Sequence, residues 1–445
     1  MKKMVSLLVI LAILAVGLPY FFGREAETQY RKYIDLISLN SSIPLKVSAY
    51  DRGIWSSKAI TEIPVGGPFI LKFHHRVLHG PVMFDRTPGK PKGFQWGMAL
   101  VASAPNLMET QYGEVHKAFG DEDPISWKSL FAFNGNVQTF IHSPAKEYTA
   151  ENGATINWQG LEGQFTTDLL LVTLKGKLNI PGLKAKSGVF DGGIQGFSLE
   201  VDEKRSESNL WVGKVLMAVD NVLLNEPQKG FELTTIKIDG ESSEQNRLFN
   251  VLWTFDLTRA VMPSGTYGPM EILVRLLNMD SDAMNEIQHL SPGTAKTQEI
   301  PKPIIRKLLE KNPTLVIENS KLTLPEGDVL INAKFSMGGA NIPETFDDSI
   351  YLKTLNGDLD ALLPKSLLEK AITQHVTMLL SQDPQYSSML PDNQKAELQR
   401  QTDQKIEKYK QEGLVMDKED RYEVKFSVKD GKIMANGKEV PLSGL

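Results

Sequence analysis

Few residues could do chemistry, and their spacing argues against the common reactions. The chain has seven histidines and no cysteine, which removes disulfides, thiolate metal sites and cysteine nucleophiles together. His74, His75 and His79 fall close together in a run that reads as a strand. At about 3.3 Å per residue, His75 and His79 share a face but stand about 13 Å apart, too far to hold one metal ion. His74 points to the other face. No Gly-x-Ser-x-Gly elbow is present for a serine nucleophile. Gly192, Gly193 and Gly196 form a glycine-rich stretch. Strand-like segments flank it and no helix start follows, so it reads as a tight turn and not as a phosphate cradle. Asp358 and Asp360, two apart, would share a strand face and read as a solvated edge. No catalytic residue, cofactor or metal site is expected.

Two short motifs are less ordinary. Tyr50-Asp51-Arg52-Gly53-Ile54-Trp55-Ser56-Ser57 joins two strand-like runs. It reads as a β-corner, with Gly53 supplying a positive φ and Trp55 filling the core. His79-Gly80-Pro81 ends a strand abruptly, and its imidazole is expected to cap backbone. If an enzyme were hidden here, two or more of His74, His79, Asp51, Asp85 and Arg52 should converge in one pocket.

The elements that must position these motifs begin with a membrane-type segment. Lys2 and Lys3 precede an uncharged run over residues 4–22, from Met4 to Phe22. At 1.5 Å per residue that run is just long enough to cross a hydrocarbon core of roughly 30 Å. Ala15-Val16-Gly17 is a poor signal-peptide cleavage site, and the apolar run continues past it to Tyr20-Phe21-Phe22. An uncleaved anchor is the expectation, with a cytoplasmic N-terminus by the positive-inside rule. Residues 24–42 read as a juxtamembrane helix. Residues 43–260 read as a β-rich region of alternating runs closed by Gly, Asn, Asp or Pro. Residues 261–445 read as a mixed α/β region of the same body. Helices are expected over 268–289, 304–309, 363–381 and 393–411, and strands over 314–317, 321–324, 329–337 and 350–359. The 363–381 helix should show one face made of Leu368, Ala371, Ile372, His375 and Leu379, while 393–411 should be solvated almost all round. Two hairpins, at Asp430-Gly431 and Asn436-Gly437, close the chain. The fold class is therefore α+β and β-rich: an N-terminal transmembrane helix, a long, mostly antiparallel sheet, and helices in the C-terminal half.

The motifs, in this order after an anchor, resemble the signature of the YdgA-like family, bacterial single-pass inner-membrane proteins of unknown function. The resemblance rests on Tyr50, Arg52, Gly53, Ile54, Trp55, Ser56 and Ser57, on His79, Gly80 and Pro81, and on the C-terminal Asp430, Gly431, Ile433, Asn436, Gly437 and Lys438. It implies an inner-membrane location, self-association, and no transferable catalytic residue. The formal net charge of -5 argues against a nucleic-acid partner. The expected role is a structural or interaction protein of the bacterial envelope, its body periplasmic. Lipid would bind along an apolar sheet face left open to solvent. A homo-oligomeric assembly subunit and an envelope enzyme are the rival readings.

Overall fold

The computed structural model describes residues 2–41, 44–66, 69–87, 89–106, 113–120, 122–226, 229–290, 300–339, 342–347 and 349–440; of 2–14, 40, 41, 65, 66, 69, 113 and 114 it describes the backbone alone. The chain divides into two compact units: residues 1–206, 211–228 and 291–295, and residues 207–210, 229–290 and 296–445.

The first unit opens with α1 (Lys2–Ser41), whose backbone is helical throughout and contains Pro19. Most of the expected anchor at 4–22 falls on residues whose side chains lie outside the described ones. Among the described residues no helix is long and apolar enough to cross a membrane. There follow β1 (Lys46–Arg52), β2 (Ser56–Gly66), β3 (Phe69–His79), β4 (Val82–Asp85), β5 (Gly93–Trp96), β6 (Ala99–Pro105), α2 (Gly113–Phe119), β7 (Ser126–Phe131), β8 (Asn136–Ser143), β9 (Lys146–Thr149), β10 (Thr155–Trp158), β11 (Leu161–Asp168), β12 (Thr173–Ser187), β13 (Phe190–Arg205) and β14 (Trp211–Asn225). The strands make an antiparallel meander in the order β1-β2-β3-β6-β7-β8-β11-β12-β13-β14. β9 and β10 extend it at the far half of β12, and β4 and β5 form a separate hairpin. α1 lies on one face of this sheet. Ala26 and Tyr30 pack there with Ala59, Val77, Ala99, Val101, Phe131 and Val137. The β4–β5 hairpin lies on the opposite face, where Met83 meets Leu78, Leu100 and Leu130.

The second unit contains β15 (Phe231–Gln245), β16 (Leu248–Met262), β17 (Gly265–Tyr267), β18 (Met270–Asp280), α3 (Ser281–Gln288), α4 (Lys302–Glu310), β19 (Thr314–Leu324), β20 (Gly327–Met337), α5 (Ser349–Thr354), β21 (Leu355–Pro364), α6 (Lys365–Leu380), α7 (Pro384–Ser387), α8 (Pro391–Gln411), β22 (Met416–Lys418), β23 (Arg421–Lys429), β24 (Lys432–Ala435) and β25 (Lys438–Val440). Its sheet is again an antiparallel meander, β15-β16-β18-β19-β20-β21-β23-β24-β25. α6 and α8 pack on its C-terminal strands through Ile372, Val376, Leu380, Ile406 and Tyr422.

Several expectations are corrected. Residues 270–280 form β18, not the first half of a helix. Met270, Ile272, Val274 and Leu276 fit a period of two as well as a helical one, and pairing with β16 decides between them. The helix begins only at Ser281, capped by the Asp280 carboxylate, which accepts from the Ala283 amide. Residues 349–354 are helical as α5, and the strand starts at Leu355. The segments at 314–317 and 321–324 are one strand, β19, with an irregularity at Asn319, where φ is 48°. On α6 the packed positions are Leu368, Ile372, Val376 and Leu380, while Ala371, His375 and Leu379 are exposed. α8 is not solvated all round: Leu398, Ile406 and Tyr409 face α6, with Thr402 buried beside them. The glycines at 192, 193 and 196 are not a turn but lie inside β13. A side chain at Gly193 would meet the Leu183 carbonyl at 2.5 Å, and one at Gly196, where φ is 66°, would overlap the Asp220 carboxylate.

Candidate functional site

The two N-terminal motifs meet at one place, where α1 docks on its sheet. His79 is 3% exposed and Ser57 1%. The His79 Nδ1–H donates to the Ile54 carbonyl at 2.8 Å, so its Nε2 accepts from the Ser57 hydroxyl, also at 2.8 Å. A hydroxyl bonded to an imidazole is half of a nucleophilic arrangement. Here it is sealed from solvent, and burial lowers the His79 pKa, which keeps the ring neutral. The pair is a buried clamp between the turn and the strand end. The backbone completes it: His79 N–H donates to Trp55 O, and Gly80 N–H to Met98 O.

Glycine is required here for space. A side chain at Gly53 would stand 2.5 Å from the Ser56 carbonyl, and one at Gly80 would overlap the Gly97 carbonyl. Gly53 does not adopt the positive φ expected of it; close approach is the reason for the residue. Trp55 does not plug the core either: it is 57% exposed, beside Ile54 at 46%. Tyr50 packs against Tyr30, with ring centroids 6.1 Å apart. Arg52 reaches Glu27 at 3.4 Å and lies over the Tyr20 ring. Both contacts tie the corner to α1. On α1 itself, Gly23 presses on the His79 ring so closely that a Cβ would overlap it. Gly23→Val should therefore cost about 1–3 kcal/mol by overpacking. Chemical denaturation checks this, and His79→Ala in the same chain should return part of the loss.

The residues that would have built an enzyme do not converge. His74 and Asp51 are exposed, and Arg52 turns to α1. Asp85 is held on the hairpin side by Lys128 at 2.6 Å and Arg76 at 2.7 Å. A surface cleft lined by Lys90, Lys92, Phe140, His142, Glu162 and Lys177 contains none of them. Asp358 and Asp360 share a polar sheet face, opposite Lys334 and Lys425 respectively. Among the described residues no group of His, Asp or Glu is arranged to hold a metal ion. At the C-terminus Asp430, Gly431, Asn436 and Gly437 all have positive φ, as two-residue hairpin turns of this type need. Asn436 adds side-chain bonds to the Lys425 amide and the Gly413 carbonyl.

The most extensive feature is an apolar sheet face. In the second unit one cross-strand row reads Gly240, Trp253, Val274, Ile317, Ala333, Leu359, Phe426, Ala435, from β15 through β24. The next row on that face reads Ser242, Val251, Leu276, Leu315, Phe335, Gly357, Val428, Ile433. The Trp253 ring lies over Gly240, where a Cβ would come within 2.6 Å of it, and stacks beside Phe255. The opposite face carries Arg275 bridged to Glu318, with Lys334, Asp358, Asp360 and Lys425. α6 and α8 cover the apolar face only toward β23. Trp253, Phe255, Ile272, Val274, Ile317 and Phe335 remain half-buried, and Leu276 is exposed. The first unit repeats the pattern: Ile141, Gly163, Leu178, Leu199 and Met217 form a row on the face that α1 covers over β1–β8. Eight strands at about 4.8 Å spacing give the row in the second unit a span of about 34 Å.

No curated protein and no solved structure matches the chain. A family model described as a bacterial protein of unknown function, DUF945, matches residues 1–443. The chain belongs to that family, DUF945.

Proposed function

We propose that this protein is a YdgA-like, single-pass inner-membrane protein whose periplasmic β-rich body is not an enzyme but binds lipid acyl chains along an apolar sheet face. The anchor in this reading is the uncharged run of residues 4–22 behind Lys2 and Lys3. The row from Gly240 to Ala435 carries this reading: it is eight strands wide without one charged, amide or hydroxyl side chain, and Trp253, Val274 and Ile317 in it are only half-buried. Water-facing apolar surface costs about 25 cal/mol per Å², so a face of this length favours an occupant. A peptide laid across it would leave most of its amide groups without partners, because these rows offer only the Trp253 indole N–H and the Ser242 hydroxyl. An alkyl chain needs none.

The test is photo-crosslinking in native membranes with a benzophenone amino acid at Phe255 or, on the polar face, at Thr254. Phospholipid adducts at 255 and none at 254 are expected. A Val274→Asp exchange should abolish the adducts while leaving the circular dichroism spectrum intact. Adducts to protein alone at 255 would replace the lipid reading with self-association or another protein partner.

A further inference from the structure

The β4–β5 hairpin of the first unit displays a second apolar surface. Its strands pair Val82 with Trp96 and Phe84 with Phe94. The alternate residues Met83 and Asp85 point inward and are buried, 3% and 1% exposed. The outward four are 45%, 69%, 44% and 72% exposed in that pairing order. The Phe84 and Phe94 rings touch, with centroids 4.7 Å apart, and Arg86 lies over Phe84. Four large apolar side chains left so exposed on two short strands are expensive in water.

Charge and connection say what covers them. From Arg86 to Trp96 the sequence carries Arg86, Lys90 and Lys92 and no acid. All three cations are exposed; Lys90 shares its charge with the equally exposed Glu162 at 3.9 Å, and Asp85 is neutralised internally by Lys128 and Arg76. Aromatic side chains edged by cations suit the headgroup layer of an anionic bilayer, where the rings sit at the acyl boundary and the cations meet phosphate. The hairpin's root is bonded to the docking point of α1. Gly97 N–H donates to Pro81 O, and His79, two residues before Pro81, packs on Gly23 at the end of the apolar run. We propose that the outward face of the β4–β5 hairpin inserts into the interface of an anionic lipid bilayer as a second membrane contact beside the anchor. This rests on the reading of residues 4–22 as an anchor only for which membrane is nearest.

The chain has no cysteine, so a single substitution gives one labelling site. Full-length protein would carry a nitroxide at Val82→Cys or, separately, at Ile10→Cys. It would be reconstituted in vesicles of equal parts phosphatidylcholine and phosphatidylglycerol, and its accessibility to oxygen and to a water-soluble nickel chelate compared. The Val82 label should be open to oxygen and shielded from nickel. That shielding should be lost when Phe94 and Trp96 are replaced by Ser, and reduced when Arg86, Lys90 and Lys92 are replaced by Gln. A nickel-accessible Val82 label overturns the proposal whatever the Ile10 label does. A label shielded from both reagents overturns it in favour of a protein partner. Nickel access at Ile10 with shielding at Val82 upholds the hairpin contact and overturns the anchor.

Discussion

A Lys128→Ala variant is expected to lose about 3–5 kcal/mol of stability, the usual cost of breaking a buried ion pair from one side. Lys128 is 3% exposed and lies on β7 beneath the β4–β5 hairpin. Its ammonium reaches Asp85 Oδ2 at 2.6 Å and donates to the carbonyls of Thr87, Gly89 and Pro91 at 2.9, 3.2 and 3.2 Å. One cation thus gathers the whole hairpin loop. Burial alone would raise the Asp85 pKa, but Lys128 and the Thr87 hydroxyl and amide outweigh it and hold the carboxyl below its ordinary value. Without Lys128, a buried carboxylate keeps only Arg76 and Thr87, and three carbonyls lose their donor. Joint replacement by apolar residues of similar size, Asp85→Leu with Lys128→Met, should recover part of the loss. It should stay about 1–3 kcal/mol short for the carbonyls left unpaired. By contrast Lys175→Ala, which removes a pair to Asp202 that is 72% and 64% exposed, should change stability by under about 1 kcal/mol. Hydrogen exchange along β4, β5 and β7 reads these effects locally. A Lys128→Ala loss below about 1 kcal/mol would show that the hairpin is not held by this pair.

That pair also marks where the sequence stops being informative. Asp85 and Lys128 are joined only by the fold, and no local pattern connects them. Local signals served well where the physics is local. The turn residues Asp430-Gly431 and Asn436-Gly437 gave the last hairpins, because positive φ restricts residue type so strongly. The long strand β12 shows, over 173–180, the alternating exposure that its sequence alternates for. Residues 270–280 failed because their apolar positions satisfy both periods, and only the β16 ladder distinguishes them. Gly53 and Trp55 stand out as a motif, but their sequence does not say which physics selects them. A glycine forced by a neighbouring carbonyl reads like one forced by φ, and an aromatic at a corner reads as core whether it faces in or out. The apolar rows were visible strand by strand. That they line up across eight strands, and that α6 and α8 cover them only toward β23, depends on register and on where those two helices pack.

The second large effect is a loss of stability on mild acidification, centred on His75. Its ring is buried at 5% exposure beneath α1, edge-on to Tyr30 with centroids 5.5 Å apart. Nδ1 is bonded to the Ser103 hydroxyl at 2.7 Å, and Nε2 is buried without a partner among the described residues. Protonation would place a charge in an apolar layer and an N–H against no acceptor. Desolvation by burial, with a smaller contribution from His74, therefore lowers its pKa from 6.5 to about 4. The sign follows from linkage. Between pH 6.5 and 4 the unfolded chain binds a proton that the folded chain refuses, so stability falls as pH falls through that window and levels off below about 4. A shift of this size corresponds to about 3 kcal/mol, with His79 contributing in the same direction. His75→Gln removes the titration while keeping a polar group within reach of Ser103. It should be somewhat less stable than the parent at pH 7, yet lose about 3 kcal/mol less between pH 7 and pH 4. Urea denaturation at three or four pH values across that range makes the comparison, and native carboxylates cancel because they are common to both chains. Parallel stability–pH curves for the two proteins would mean that His75 titrates alike in the folded and unfolded chains, and that α1 does not seal it as its packing here requires.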